Sequence, residues 1–478
     1  MKSAFRTTLL MLIIALAATA TAAYYYPWPE IELTRDLIDT PLFEEFDLDQ
    51  VRSIEIVKFN DDRNELETIR IRRKADKWIF PDKGNFVATG APLIAAVRGS
   101  LNERKIREFM SDQEEDHIKY GVVDPLRNAS AVRSSLGTKL TLEDRQGKVI
   151  ANLIVGKGVK SESEVPQRFV RIPEQPNVYV IDYDERILTT NFSQWVDSNI
   201  LQLATRANPA GQQGVEVNID KYRYDPKEIA DPDARESIYR ARFKYSEEIR
   251  QLGFDSLEIP TPVIGKWQKI TPNQTQQPEL AQWTRVVAQI QVANVARKSK
   301  NLIAVLRNPK EDASEETLSE LNNFGFHKTG FENGAFQFDG AGGEFSMTSR
   351  EGVRFNLYIG AFDDGTTKTT SGNLTRYLMI TVDVNYSMFP EPEKPEDPED
   401  KAYLRALETR KTNLAKARKT ASDLNRVQAD WFYIVDDEIL SMLVPTLSFD
   451  AAATPAQPKD EVEGNKPAAE ESTSTDDE

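Results

Sequence analysis

A chain of 478 residues is too long for one hydrophobic core, and its 40% apolar and 28% charged residues are a globular mixture, so two or more folded domains are expected. The formal charge of −16, from 76 acids against 60 basic residues, argues against nucleic acid as a partner, because phosphate binding needs a basic surface. The absence of cysteine removes disulfides, thiolate metal sites, cysteine nucleophiles and an acylated-cysteine anchor, and the two histidines, His117 and His327, stand in no metal-ligand spacing.

Lys2 and Arg6 precede an uncharged run over residues 7–23, and Tyr24, Tyr25, Tyr26 and Trp28 follow it directly. At ~1.5 Å per residue, residues 7–26 span roughly 30 Å, one hydrocarbon core, with the four aromatics as an interfacial belt. Residues 1–29 are therefore expected to be a single-pass N-terminal transmembrane helix with its N-terminus inside. The alternative is a cleaved signal peptide, since Ala18-Thr19-Ala20 has the small-x-small pattern. Both readings place the body outside the cytoplasm, in the periplasm, and the first localises the chain to the inner membrane.

In the body, residues 53–60, 67–72 and 77–80 read as strands, with Asp61-Asp62 at the first turn and Trp78 on the third. Pro92 opens a helix whose apolar positions Leu93, Ile94, Val97 and Leu101 form one stripe. After the turn at residues 120–125, a hairpin over 139–155 closes on Gly156, a second pairs 168–172 with 178–181, and Trp195 follows.

The same order then recurs. Residues 215–217 and 239–245 read as strands, Trp267 matches Trp78, and residues 278–296 read as a helix carrying Leu280, Trp283, Val287, Ile290 and Val295. A hairpin around Glu351-Gly352 closes on Gly360, residues 376–380 echo 168–172, and 432–438 echo 178–185. The fold class expected is α+β, a tandem A-B-A-B duplication of strand-rich units with packed helices. Its halves are residues 30–205 and 206–449, with the tryptophans at 78, 195, 267 and 431 at matching core positions. The second half has an insertion, residues 386–430, that opens with a proline-rich stretch and continues as a charged helix over 400–429. Residues 450–478 are Ala, Pro, Glu, Asp, Ser and Thr in the main, the composition of a disordered acidic tail.

Several of these features together resemble the bacterial domain-of-unknown-function 4340 family. They are the membrane-proximal start, the Y-G-x-x-D-P turn at Tyr120 to Pro125, the hairpin ending Ile154-Val155-Gly156-Lys157, and the 168–171 and 178–182 pair with Trp195 after it. Gly352-Val353-Arg354-Phe355 and Asp430-Trp431-Phe432-Tyr433 resemble longer relatives. These motifs are structural and none is catalytic. The resemblance implies an anchored extracytoplasmic protein, and relatives encoded near ABC-type export permeases and gliding-type components imply a transport accessory.

Candidate sites reduce to few. Gly156-Lys157-Gly158 lacks the upstream glycine and following Ser/Thr of a phosphate loop. Asp182-Tyr183-Asp184-Glu185 starts like a calcium loop, but Arg186 stands where an oxygen ligand belongs, so helix capping is expected. No catalytic, cofactor or metal residue is assigned, and no enzyme activity or cofactor is expected. Within the insertion, Leu407, Leu414 and Ala421 fall at sevenfold spacing beside Leu404, Ala417 and Leu424, a thin seam suited to a coiled-coil partner or to packing on its own domain. The expected function is a non-enzymatic binding or scaffold subunit of a cell-envelope assembly, accessory to an ABC-type exporter, with membrane proteins as partners. The alternatives are a periplasmic glycan- or peptide-binding module with a cleft between the halves and, last, a carboxylate-dependent hydrolase.

Overall fold

The computed structural model describes Ala15 and residues 37–127, 132–160, 165–196, 216–224, 235–246, 248, 251–263, 265–287, 290–307, 313–332, 335–363, 372–396 and 400–449. The anchor expected over residues 7–26, with Tyr24, Tyr25, Tyr26 and Trp28, and the tail from residue 450 lie outside them. No helix among the described residues is long and apolar enough to cross a membrane.

The first nine strands are β1 (Ser53–Asn60), β2 (Glu65–Lys74), β3 (Lys77–Phe80), β4 (Phe86–Ala88), β5 (Ile106–Ser111), β6 (Thr138–Glu143), β7 (Val149–Gly158), β8 (Gln167–Arg171) and β9 (Val178–Asp182). They form one antiparallel sheet in the order β4-β3-β2-β1-β6-β7-β8-β9-β5. The rest are β10 (Glu216–Tyr224), β11 (Arg235–Ser246), β12 (Gln251–Pro260), β13 (Trp267–Ile270), β14 (Val292–Arg297), β15 (Phe326–Glu332), β16 (Ala335–Gly340), β17 (Gly343–Thr348), β18 (Val353–Phe362), β19 (Thr375–Val384) and β20 (Trp431–Asp436). The second large sheet runs β13-β12-β11-β10-β17-β18-β19-β20-β14, the same order once the separate β15–β16 hairpin is set aside.

Alternation along the strands sets the core. Ile54, Ile56, Leu140, Leu142 and Leu153 of the first sheet and Val217, Ile219, Phe345, Leu357 and Ile380 of the second are buried in one continuous apolar cluster. The two halves meet where Phe86 packs edge-on against Trp431, ring centroids 4.9 Å apart. Lys83 Nζ donates to Asn294 Oδ1 at 2.6 Å and Arg297 to the Gly84 carbonyl at 2.8 Å across the same junction.

Two expectations need correction. The helix expected over 278–296 is two short pieces, Gln276–Ala281 and Trp283–Val286, followed by strand β14. Val292 and Val295 fit a helical stripe as well as a strand, and pairing with β20 decides for the strand. The tryptophans do not match between halves: Trp78 lies on the third strand of its sheet, Trp267 on the fourth of its own, and both are half-buried. Arg98 lies 5.9 Å over Trp78, which packs against the edge of the core, and Arg240 lies 4.0 Å over Trp267, so each half-buried ring is covered in part by a guanidinium. Trp195 is fully buried after β9, whereas Trp431 begins β20.

Candidate functional site

β10 turns Val217 and Ile219 into the core and Glu216, Asn218 and Asp220 to the other face. Strand register continues that polar face across the sheet. Arg240, Asp220, Glu344 and Tyr358 share one row, and Arg242, Asn218, Ser346, Asn356 and Thr381 the next. Lys244, Glu216, Thr348, Arg354 and Asp383 make a third.

The charges are densest around Asp220 and Glu344, which stand opposite each other on neighbouring strands. Asp220 takes Arg240 at 3.0 Å and Arg235 at 3.5 Å. Arg235 also holds the buried Asp339 at 2.8 Å and lies 4.1 Å over the Tyr222 ring. Arg354 grips Asp383 through two bonds of 2.9 Å. Glu344 makes no ion pair among the described residues. Burial, with the Asp220 and Asp339 carboxylates beside it, pushes its carboxyl up to about 8. Like carboxylates facing each other across two strands cannot both ionise cheaply, so this row holds a proton near neutrality.

A roof covers the far end of that row. Tyr358 and Met379 pack with Phe326, Phe336 and Phe338 of the β15–β16 hairpin and with Leu302 and Leu321 from the helices Lys300–Arg307 and Glu315–Asn323. His327 is buried here, its Nδ1 3.1 Å from Asn322 Oδ1 and its ring beside Tyr224. In the first half His117 Nε2 lies 2.7 Å from the Pro176 carbonyl. Among the described residues no group of three or more His, Cys, Asp or Glu is placed to hold a metal. Asp184 caps the turn Glu185–Ile187 and Asp436 the helix Asp437–Leu443, and Lys157 donates to the Lys119 carbonyl at 3.0 Å.

The insertion is the helix Lys401–Gln428, started by Asp400, whose carboxylate accepts from the amides of Ala402 and Tyr403 at 2.8 Å. Ala417, Ala421 and Leu424 are buried in the protein's own core and Leu414 packs against it, so that half of the seam is closed to a partner. Leu404 is exposed and Leu407 half-buried. Past Leu378, β19 loses β20 as a neighbour, and Asn425 Oδ1 accepts the Val382 amide at 3.2 Å in its place. Lys298 reaches the Gln428 and Trp431 carbonyls at the helix end, and burial drives its ammonium down to about 7.

Sequence reasoning missed the Asp220, Asp339, Glu344 and Arg235 group and the buried Lys298. Polar residues at alternate positions of 216–220 and 344–348 were a readable signal for one polar face. That the strands adjoin was not readable, because β10 and β17 are far apart in sequence.

The architecture is an α+β body of two large antiparallel sheets of one strand order. Residues 78–208 match the family model described as Domain of unknown function (DUF4340), which bears out the resemblance over that stretch. The match begins at β3 and runs past Trp195, within the first sheet unit. No curated protein and no solved structure matches the chain.

Proposed function

We propose that this protein is a non-enzymatic binding or scaffold subunit of a cell-envelope assembly. It is held at the inner membrane by residues 7–26 with its body outside the cytoplasm, and serves as an accessory to an ABC-type exporter. The observation that carries the reading is the helix Lys401–Gln428, added to the second unit at a connection that the first unit closes with a short turn between β8 and β9. Its N-terminal half leaves Leu404 exposed and Leu407 half-buried on a long, rigid element, a form suited to docking.

The body that carries it is a tandem duplication in this reading. Support comes from the shared strand order and from shared irregularities. The register slips after Ile106 in β5 and after Val292 in β14, and past Val155 in β7 and Ile359 in β18. Gly121 and Gly325, both at positive φ, each precede a residue packed under the matching glycine, Gly156 or Gly360.

The test is purification of the native complex from membranes, with Leu404→Asp/Leu407→Asp as the comparison. The expected result is a membrane permease that accompanies the wild type and is lost with the variant. Recovery of the same complex by the variant removes this helix as the docking element, and a chain that purifies alone removes the scaffold reading.

A further inference from the structure

The helix Lys401–Gln428 carries eight lysines and arginines against two acids in a chain whose overall charge is −16. Turning ~100° per residue, Lys401, Arg405, Lys416, Lys419 and Arg426 fall within about 80° of arc, opposite the buried Ala417, Ala421 and Leu424. All five are exposed, and none pairs with a carboxylate among the described residues. The two acids of the helix, Glu408 and Asp423, lie on the same arc and leave it a net charge of +3 (five cations less two acids), but neither pairs with these five: Glu408 reaches only Lys411, at 3.9 Å, and Glu391 binds Arg410 at 3.5 Å, off the ridge. A ridge of net positive charge on an acidic protein suits an anionic occupant.

We infer that this occupant is the chain's own C-terminal segment, residues 450–478, which carries nine acids against two lysines. Eight of the nine come in three groups, at 460–463, 470–471 and 476–478, so they can meet successive cations along the ridge. The described chain ends at Phe449, beside Tyr239 of β11, and Gln276 holds the Ser448 carbonyl at 2.6 Å. β11 and β19, on which the helix packs, are four strand spacings apart, roughly 19 Å. Residues 450–459 extended cover up to about 33 Å, enough to bring Asp460 to the helix. The contact is electrostatic and salt-sensitive. It does not depend on the exporter reading, because it is a property of the purified chain.

The chain has no cysteine, so Ala415→Cys on the exposed helix surface and Ser472→Cys in the segment allow clean placement of two fluorophores in the full chain. Energy transfer is expected to be high at about 50 mM salt and to fall at least about twofold at about 500 mM. The same loss is expected at low salt when Lys416→Glu, Lys419→Glu and Arg426→Glu are combined, with the circular dichroism spectrum unchanged. Transfer at low salt no higher than in that variant overturns the proposal. Transfer that falls on dilution with unlabelled chain assigns the segment to a second copy and equally overturns it.

Discussion

The two sheets share a framework and differ in what stands on their outer faces. In the first, the row through Val57, Lys139, Ile154 and Arg171 carries two cations: Lys139 is paired at 2.9 Å with Asp124, which the turn after Tyr120 delivers to it, and Arg171 donates to the Val122 and Pro173 carbonyls. In the second, the same positions along the shared strand order are Asp220, Glu344 and Tyr358. A single turn, with Tyr120 packed on Phe169 at 4.7 Å, closes the first face. Two helices and a hairpin close the second, where Phe324 packs on Tyr377 at the same 4.7 Å. Identical strand pairing therefore tolerates opposite electrostatics, because the buried faces carry the packing and the outer faces are free to diverge.

Breaking the roof of the second sheet has the largest expected effect. Phe432 is fully buried and stacks on Phe324 and Phe326, with centroids 4.4 and 5.4 Å away. Phe432→Ala should cost about 3–5 kcal/mol in urea unfolding, and the register-equivalent Val178→Ala clearly less, if the roofs differ in substance. Next, Lys139→Met leaves the buried Asp124 without its close cation and should cost about 3 kcal/mol. A cost under about 1 kcal/mol would show that Arg127, 3.8 Å from Asp124, takes over.

The framework itself is tested by its glycines. A Cβ at Gly156 would meet the Tyr120 carbonyl and one at Gly360 the Phe324 carbonyl. Gly156→Ala and Gly360→Ala should each cost about 1–3 kcal/mol, and by similar amounts. A large effect at one and none at the other breaks the equivalence of the two units.

The last effect carries the opposite sign. Because the Glu344 carboxyl is raised to about 8, the folded chain keeps a proton that the unfolded chain has already released. Stability then falls as pH rises from the ordinary glutamate range through about 8. Glu344→Gln should flatten that slope and raise the urea midpoint at about pH 8 while leaving it unchanged at about pH 4. An unaltered slope would show that Glu344 is ionised beside Asp220.

Much of this fold was legible in the sequence. Residues 178–182 and 432–436 are strands, as the sequence suggested, and the hairpins closing on Gly156 and Gly360 were marked by turn residues. The edge strands β5 and β14 were not legible. Each is interrupted by a bulge, so its apolar residues lose the period of two, and at 292–297 they imitate a helix. The helix after Asp400 was readable from its cap and its proline-free run, but which part of its seam was buried depended on the gap beside β19. The tryptophans misled because ring size alone does not distinguish a core position from one sheltered by arginine.

The strand order also dictates the sequence of assembly. In each sheet β1 to β4 and β6 to β9, like their counterparts, join neighbours in the chain, so both blocks can zip locally. The seam between them, Ile56 against Leu140 and Ile219 against Phe345, must wait for a distant segment. Loop-closure entropy grows only logarithmically, so the longer span in the second unit costs a few tenths of a kcal/mol at most. The burden is one of time: during synthesis β1 and then β10 each present an unpaired edge until β6 or β17 arrives, and that interval is when the chain needs protection from aggregation.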